Sequence, residues 1–291
     1  AAEGGRKAAT MDIGGAYLNA EMTGEEVFME LDKMLTSILS KVAPEVVPYI
    51  DKRGRLTCKL DRAVYGCVQS AKLWYCTITD FLKSLGYIPN PVDPCVLNLK
   101  DTYGKHCTIV LYVDDLLVLA ENENMITELP SQLTARFDGV SISTDTDLSY
   151  LGMHICLKDG YVTVSMQAYL EGVLQECGTT GVVSTPATAG LFNNGDDQLL
   201  NEKESKWFHT VVAKLLYLAT RVRVDILLVV IYLCTRVQEP TITDQIKLTR
   251  VLKYLNGTRQ QGLLLKPDTM RIRAYIDAAF ACHPNGKSHS G

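Results

Sequence analysis

Between Thr108 and Ala120 the chain reads TIVLYVDDLLVLA, two apolar runs separated by a pair of carboxylates. Apolar stretches on either side of a short polar break predict a β-hairpin with its tip at Asp114 and Asp115. AATMDIGGAYLNA (8–20) predicts a strand followed by a Gly-rich turn. SYLGMHICLKDGYVTVSM (149–166) holds two strand-like runs around Lys158-Asp159-Gly160, which is favourable hairpin chemistry. Helical periodicity takes over elsewhere. SAKLWYCTITDFLKSLGY (70–87) places Leu73, Ile78, Phe81, Leu82 and Leu85 on roughly one face and then stops at Gly86. A second helix is predicted over 165–177 with Ser165 as its N-cap, and a third over 206–220 with Trp207, Val211, Leu215 and Leu218 at helical spacing. A fourth, over 244–256, carries Leu248, Val251, Leu252 and Leu255 and stops at Gly257.

Strands and helices are mixed without regular alternation, so the fold class is α+β. TTGVVSTPATAG (179–190) has the Thr, Gly, Ser and Pro content of a loop, and polar residues continue to Lys206. β character resumes in KPDTMRIRAYID after residue 265. Soft boundaries are therefore expected near 180–205 and near 268.

Composition narrows the class. The 291 residues are 47% hydrophobic and 21% charged, which is a globular balance. The longest apolar run, Ile226 to Cys234, is far short of the roughly 18 residues of a membrane span, so no membrane partner is expected. The start AAEGGRKAATMD lacks signal-peptide anatomy. The nine cysteines are irregularly spaced with no C-x-x-C pair, which disfavours a zinc site and predicts buried thiols in a reducing compartment. Net charge is −4, whereas nucleic-acid binders are more often basic. Lys247, Arg250 and Lys253 recur at three-residue steps on the helix at 244–256, and Lys214, Arg221 and Arg223 lie on or just after the helix at 206–220. Such rows either contact phosphates or form a solvated face.

Two neighbouring carboxylates repel, and one should resist ionisation. They can point into solvent at a hairpin tip, share a proton, or hold divalent cations. Asp12 ends another short apolar run and supplies a third acid. Three carboxylates from such strands could converge on a pair of Mg²⁺ ions about 3.5–4 Å apart, the arrangement used in nucleotidyl transfer.

LYVDDLLV resembles the Y-x-D-D hairpin of reverse transcriptases. MDIGGAYLNAEMTGEEVFMEL, LDRAVYGCVQSAKLWY, SYLGMHI and VVAKLLYLATRVRVDILLVVIYL are similar, in order, to blocks of copia-type (Pseudoviridae-like) LTR-retrotransposon polymerases. AYIDAAFACHPNGKSHSG resembles the start of the ribonuclease H domain that follows in that family. The resemblance implies a right-hand polymerase: palm, partial fingers and primer-grip hairpin over 1–164, thumb and connection over 165–267, and the first strands of a ribonuclease H-like domain over 268–291. It further implies RNA-directed DNA polymerase activity, with Asp12, Asp114 and Asp115 as catalytic residues holding two Mg²⁺, or Mn²⁺ in their place. Tyr17, Tyr65, Gly66 and Gln69, continued by Ser70, match the dNTP pocket, and Tyr17 would exclude a 2′-hydroxyl. Tyr112, Leu151 and Gly152 match positions that meet primer and template. Implied partners are an RNA template, a DNA primer, dNTPs, and the integrase and ribonuclease H of one polyprotein, in a cytoplasmic virus-like particle or the nucleus.

Some blocks depart from the family. Where it reads L-K-Q-S-P, this chain has Cys67-Val68-Gln69-Ser70-Ala71, losing a charge and a backbone constraint. T-R-P-D-I appears with Val224 between Arg223 and Asp225. Eleven residues precede Asp12, so basic finger residues that grip the triphosphate are expected to be missing. Asp277 matches the first ribonuclease H aspartate but has no partner acids before Gly291, so no RNA cleavage is expected here. Cys282, His283 and His289 are read as an exposed loop. Two alternatives stay open: an inactive retroelement remnant that folds and at most binds nucleic acid, and a metal-dependent hydrolase using the same acids.

Overall fold

A computed structural model of the chain describes residues 5–193, 198–267, 269, 271, 273–283 and 286–290. The chain divides into two units, one over Arg6–Asp145 and the other from Thr146 onwards. Both mix helix with antiparallel sheet, so the α+β class holds.

In the first unit the elements run β1 (Lys7–Ile13), β2 (Phe28–Leu31), α1 (Lys33–Val42), β3 (Leu56–Lys59), α2 (Ser70–Ser84), β4 (Ile88–Pro89), β5 (Val96–Lys100), β6 (His106–Tyr112), β7 (Asp115–Ala120), α3 (Glu123–Arg136) and β8 (Val140–Ser143). Six strands form one antiparallel sheet in the order β4-β5-β6-β7-β1-β8, while β2 and β3 pair separately. The alternation in β1, β6 and β7 is the period-2 signal of a sheet with one buried face. Met11, Ile13, Ile109, Leu111, Leu116 and Val118 face the core, where Trp74, Ile78 and Leu82 of α2 and Ile126, Leu129 and Leu133 of α3 cover them. The Gly-rich turn after β1 has a steric cause. A Cβ on Gly14 would meet the Gly139 carbonyl oxygen at 3.2 Å, and Gly15 stands at φ 62° as it opens the 3₁₀ turn Ala16–Asn19.

The second unit contains β9 (Asp147–Tyr150), β10 (Met153–Lys158), β11 (Tyr161–Ser165), α4 (Gln167–Glu176), α5 (Glu202–Arg221), α6 (Leu227–Cys234), α7 (Ile242–Gly257), β12 (Leu263–Leu265), β13 (Ala278–Ala279) and β14 (His289–Ser290). Strands β12-β11-β10-β9 form an antiparallel sheet. The structural division at Asp145 places the expected boundary at 164 inside this unit, because Val162 and Val164 of β11 are buried with α4–α7 in one core. Two capping boxes start the long helices: Asn201 with Glu204 on α5, and Thr241 with Asp244 on α7.

Several sequence expectations are corrected. Ser165 does not cap a helix; it ends β11 opposite His154, and α4 begins after Met166 without a side-chain cap. Of the nine cysteines only Cys107 is buried, and Cys76 is exposed. The described part of 271–277 is not strand. Tyr275 and Ile276 are exposed, and only Ala278–Ala279 pairs, with His289–Ser290. A run of strand-forming residues without a partner strand has nowhere to place its backbone hydrogen bonds. His283 is half-buried, its ring stacked 5.8 Å from Tyr232 and edge-on to Phe192, so it is no free loop residue.

Among the described residues, five of the six basic residues in the rows, all but Lys253, are also occupied. Lys247 donates to the Asn193 carbonyl and the Tyr232 hydroxyl, and Arg250 donates to Thr185 Oγ1, so α7 straps the 179–193 loop. Lys214 pairs with Glu176, and the Arg221 guanidinium lies 3.7 Å above the Tyr217 ring. Arg223 is buried at 2% exposure and grips Asp225 through two hydrogen bonds of 2.9 and 2.8 Å, while donating to the Thr258 carbonyl. Tyr254 donates to the same Asp225 carboxylate. Burial raises the Asp225 pKa, but the hydrogen bonds from Arg223 and Tyr254 outweigh it and the net shift is downward. Arg223→Ala strands a half-buried carboxylate and should cost about 2–3 kcal/mol in urea denaturation, below the full buried-pair penalty because Asp225 keeps some solvent. The sign with pH follows from the depressed pKa. The stabilisation is present above the ordinary carboxylate pKa of about 4 and is lost as pH falls through the lower folded value.

Candidate active site

The three acids meet at one end of β1 and β7. Backbone register sets Asp12 directly opposite Asp115, and Asp115 directly opposite Tyr112 on β6. Directly paired residues point to the same side of a sheet. Asp12, Asp115 and Tyr112 therefore share the face opposite the Met11–Leu111–Leu116 core. Val113 and Asp114 form the two-residue turn of the hairpin. Val113 has φ 55°, a left-handed conformation costly for a β-branched residue. Two bonds pin this turn. Ile13 N–H donates to the Asp114 carbonyl at 3.1 Å, and the Trp74 indole N–H donates to the Val113 carbonyl at 2.6 Å.

Among the described residues no ion pair reaches any of the three carboxylates. The electrostatics register it. Burial and then the charge of Asp114 push the Asp12 pKa up; burial, Asp114 and Asp12 do the same to Asp115. As the side chains stand, no three His, Cys, Asp or Glu groups among the described residues are arranged to enclose one ion. The chemistry of the donor set nonetheless suits a hard divalent cation. It offers carboxylate oxygen only, with neither thiol nor imidazole beside it, and its charge is uncompensated.

Around the acids, the ring of Tyr17, on the 3₁₀ turn, lies 4.5 Å from the ring of Tyr65 at 50°. Tyr65 is exposed, and its hydroxyl pKa is raised by burial and then by the nearby charges of Asp114, Tyr17 and Asp12. Gly66 stands at φ 99° with open space where a Cβ would project, so its backbone angle alone favours glycine. Gln69 immediately precedes α2 and donates to Met22 Sδ, while Ser70 Oγ donates to the Val64 carbonyl at 2.6 Å and closes the turn. Tyr17, Trp74, Leu111, Tyr112 and Val113 line an apolar cavity of about 250 Å³ beneath the hairpin.

The remaining predicted residues lie in the second unit. Leu151 and Gly152, at φ 49° and 74°, make the tight turn between β9 and β10, and Tyr217 of α5 donates to the Leu151 carbonyl at 2.9 Å. Asp277 is exposed beside β13 and accepts from the Ala278 N–H. Sequence reasoning missed Trp74 and Tyr217. Both fall inside the family-like blocks LDRAVYGCVQSAKLWY and VVAKLLYLATRVRVDILLVVIYL, but neither a block nor a helical period marks which aromatic residue reaches a distant carbonyl.

Residues 1–189 match the family model described as reverse transcriptase (RNA-dependent DNA polymerase). The chain belongs to that family. The resemblance to copia-type LTR-retrotransposon reverse transcriptases agrees with its relatives. This reverse transcriptase chain is 26% identical over 292 residues to the retrovirus-related Pol polyprotein of transposon TNT 1-94 from Nicotiana tabacum, a match covering 97% of the chain and 21% of that protein. It is 28% identical over 278 residues to the Pol polyprotein of transposon RE1 from Arabidopsis thaliana, covering 93% and 17%. An uncharacterized mitochondrial protein of Arabidopsis thaliana is 29% identical over 187 residues, covering 63% of the chain and 76% of that protein. The chain thus spans about a fifth of the Pol polyproteins it matches. Among solved structures, the foamy viral protease-reverse transcriptase in complex with RNA/DNA hybrid aligns with 88% of the chain and 27% of its own at a TM-score of 0.44 and 11% identity.

Uncompensated carboxylates are a stability liability that neutral isosteres relieve. Asp115→Asn should raise the thermal midpoint of the first unit by roughly 1–3 °C in calorimetry. The raised pKa values of Asp12 and Asp115 set the sign with pH. Their contribution favours the folded state below the raised values and fades as pH climbs from about 4 through them.

Proposed function

We propose that this reverse transcriptase chain carries a nucleotidyl-transfer centre that adds deoxynucleotides to a DNA primer paired with an RNA template. The observation that carries this reading is the register placing Asp12 against Asp115 beside the turn residue Asp114, with no ion-pair partner for any of them among the described residues. Asp12, Asp114 and Asp115 would hold a pair of Mg²⁺ or Mn²⁺ ions. When bound, such ions activate a primer 3′-hydroxyl and neutralise charge on a leaving pyrophosphate. The protein's own part is positioning. The Tyr17–Tyr65 pair floors the dNTP pocket, and Tyr17 blocks a ribose 2′-hydroxyl. Gly66 and Gln69 line the approach of the triphosphate, and Tyr112 lies beside the primer terminus. In the second unit, the tight turn at Leu151–Gly152, tied by Tyr217, would meet the primer backbone. The parent would be a polyprotein that also supplies integrase and ribonuclease H.

A non-catalytic chain that keeps this fold is the second reading, and one observation favours it. Val68, where the family has lysine, is 97% exposed and offers no charge to a triphosphate.

Primer extension on a poly(rA)/oligo(dT) template with Mg²⁺ tests the main reading. Asp12→Asn and Asp114→Asn should each lower extension by at least 10³-fold with circular dichroism unchanged, since loss of one electrostatic group at a reacting centre costs 10²–10³ or more. No extension by the unaltered chain, even when Val68→Lys and Ala71→Pro restore the family residues, favours the non-catalytic reading. Tyr17→Ala should raise use of ribonucleotides relative to deoxynucleotides by roughly 10–10²-fold, because removing a steric block is worth on the order of 1–3 kcal/mol.

A further inference from the structure

Two non-glycine residues at the tips of hairpins, Val113 and Leu151, hold positive φ, and each carbonyl accepts a hydrogen bond from an aromatic side chain, Trp74 and Tyr217 respectively. The case at Val113 has the larger consequence. A two-residue turn with positive φ at its first position normally takes glycine there. Valine resists this conformation, so the turn relaxes unless something holds it. Ile13 holds the next carbonyl, that of Asp114, from β1. Trp74 holds Val113 from α2, and its own indole is fixed: it is 1% exposed and packs edge-on against Phe137 at 5.3 Å. The helix that carries Trp74 begins with Ser70, directly after Gln69.

We infer that Trp74 is a positioning residue for the aspartate pair. Its indole N–H locks the Val113 carbonyl, holds the turn in its strained form, and so fixes where Asp114 and Asp115 present their carboxylates to a divalent cation. Trp74 touches no reacting atom and acts only through the hairpin. The assignment rests on the nucleotidyl-transfer reading above.

The test uses the full 291-residue chain. Mn²⁺ affinity is read by electron paramagnetic resonance of the free ion, and primer extension is measured alongside. Trp74→Phe keeps a ring against Phe137 and removes the donor. It should weaken Mn²⁺ binding at least fivefold and lower kcat by a similar factor, while the melting midpoint of the first unit moves little. Glycine adopts positive φ freely, so in a Val113→Gly background the same Trp74→Phe change should alter Mn²⁺ affinity less than twofold. A purely structural tryptophan would cost the same in both backgrounds. If Trp74→Phe fails to fold, replacing Trp74 by its sulphur isostere benzothienylalanine removes the N–H with the shape retained, and the same fivefold loss is expected. Equal Mn²⁺ affinity in the substituted and unaltered chains, or equal losses in the valine and glycine backgrounds, overturns the assignment alone if the unaltered chain extends primers. An unaltered chain that neither binds Mn²⁺ nor extends primers overturns the polymerase reading and the assignment with it.

Discussion

Backbone pairing between β1 and β7 forces together charges that would otherwise separate. Six residues of each strand are paired in register, from Lys7 against Ala120 to Asp12 against Asp115. That ladder also sets the buried row of Met11, Leu116 and Val118 against α2 and α3. A slip of one residue would break the acid pair and turn the whole apolar row outward. Core burial is worth several kcal/mol across even a few such side chains, whereas the repulsion between partly solvated carboxylates is worth about one. The sheet therefore imposes the acid cluster, and the raised pKa values of Asp12 and Asp115 are the trace of that compulsion.

The turn beside the cluster extends the same logic. Val113 is a poor choice for its backbone angle, and its carbonyl and that of Asp114 are each tied to a different element. Strain of this kind persists only where surrounding contacts over-determine it. In the second unit the Leu151–Gly152 turn is secured by Tyr217, over which Arg221 lies. In both units a helix borne on the core reaches out with one aromatic donor to fix a hairpin tip.

Charge is spent differently at the acid cluster and on the basic helices. Among the described residues, Asp12, Asp114 and Asp115 have no ion-pair partner, whereas most basic residues on the helices of the second unit are tied internally. Arg223 is buried against Asp225, Arg236 donates to the buried Asp244, Lys214 pairs with Glu176, and Lys247 and Arg250 strap a loop. Rows of basic residues on an amphipathic helix thus became tertiary ties rather than a phosphate-binding stripe. Exposed and tied basic faces have the same sequence periodicity, because Glu176, Asn193 and Thr185 lie 38, 54 and 65 residues from Lys214, Lys247 and Arg250 in the chain.

The sequence by itself determined the α+β class, the hairpin around Asp114 and Asp115, the strand that carries Asp12, the hairpin turn at Lys158-Asp159-Gly160 and the family. Each is written in local periodicity, in turn chemistry, or in ordered motifs. Tertiary structure decided the rest. It set Asp12 opposite Asp115, placed Tyr17 against Tyr65, brought Trp74 to the Val113 carbonyl, and left 273–277 outside any strand. It also moved the structural division to Asp145 and left most cysteines outside the core. The physical reason is common to all of these. Strand register, ring contacts and carbonyl partners join residues far apart in the chain, and a local pattern specifies which face a residue takes but not which residue it meets there.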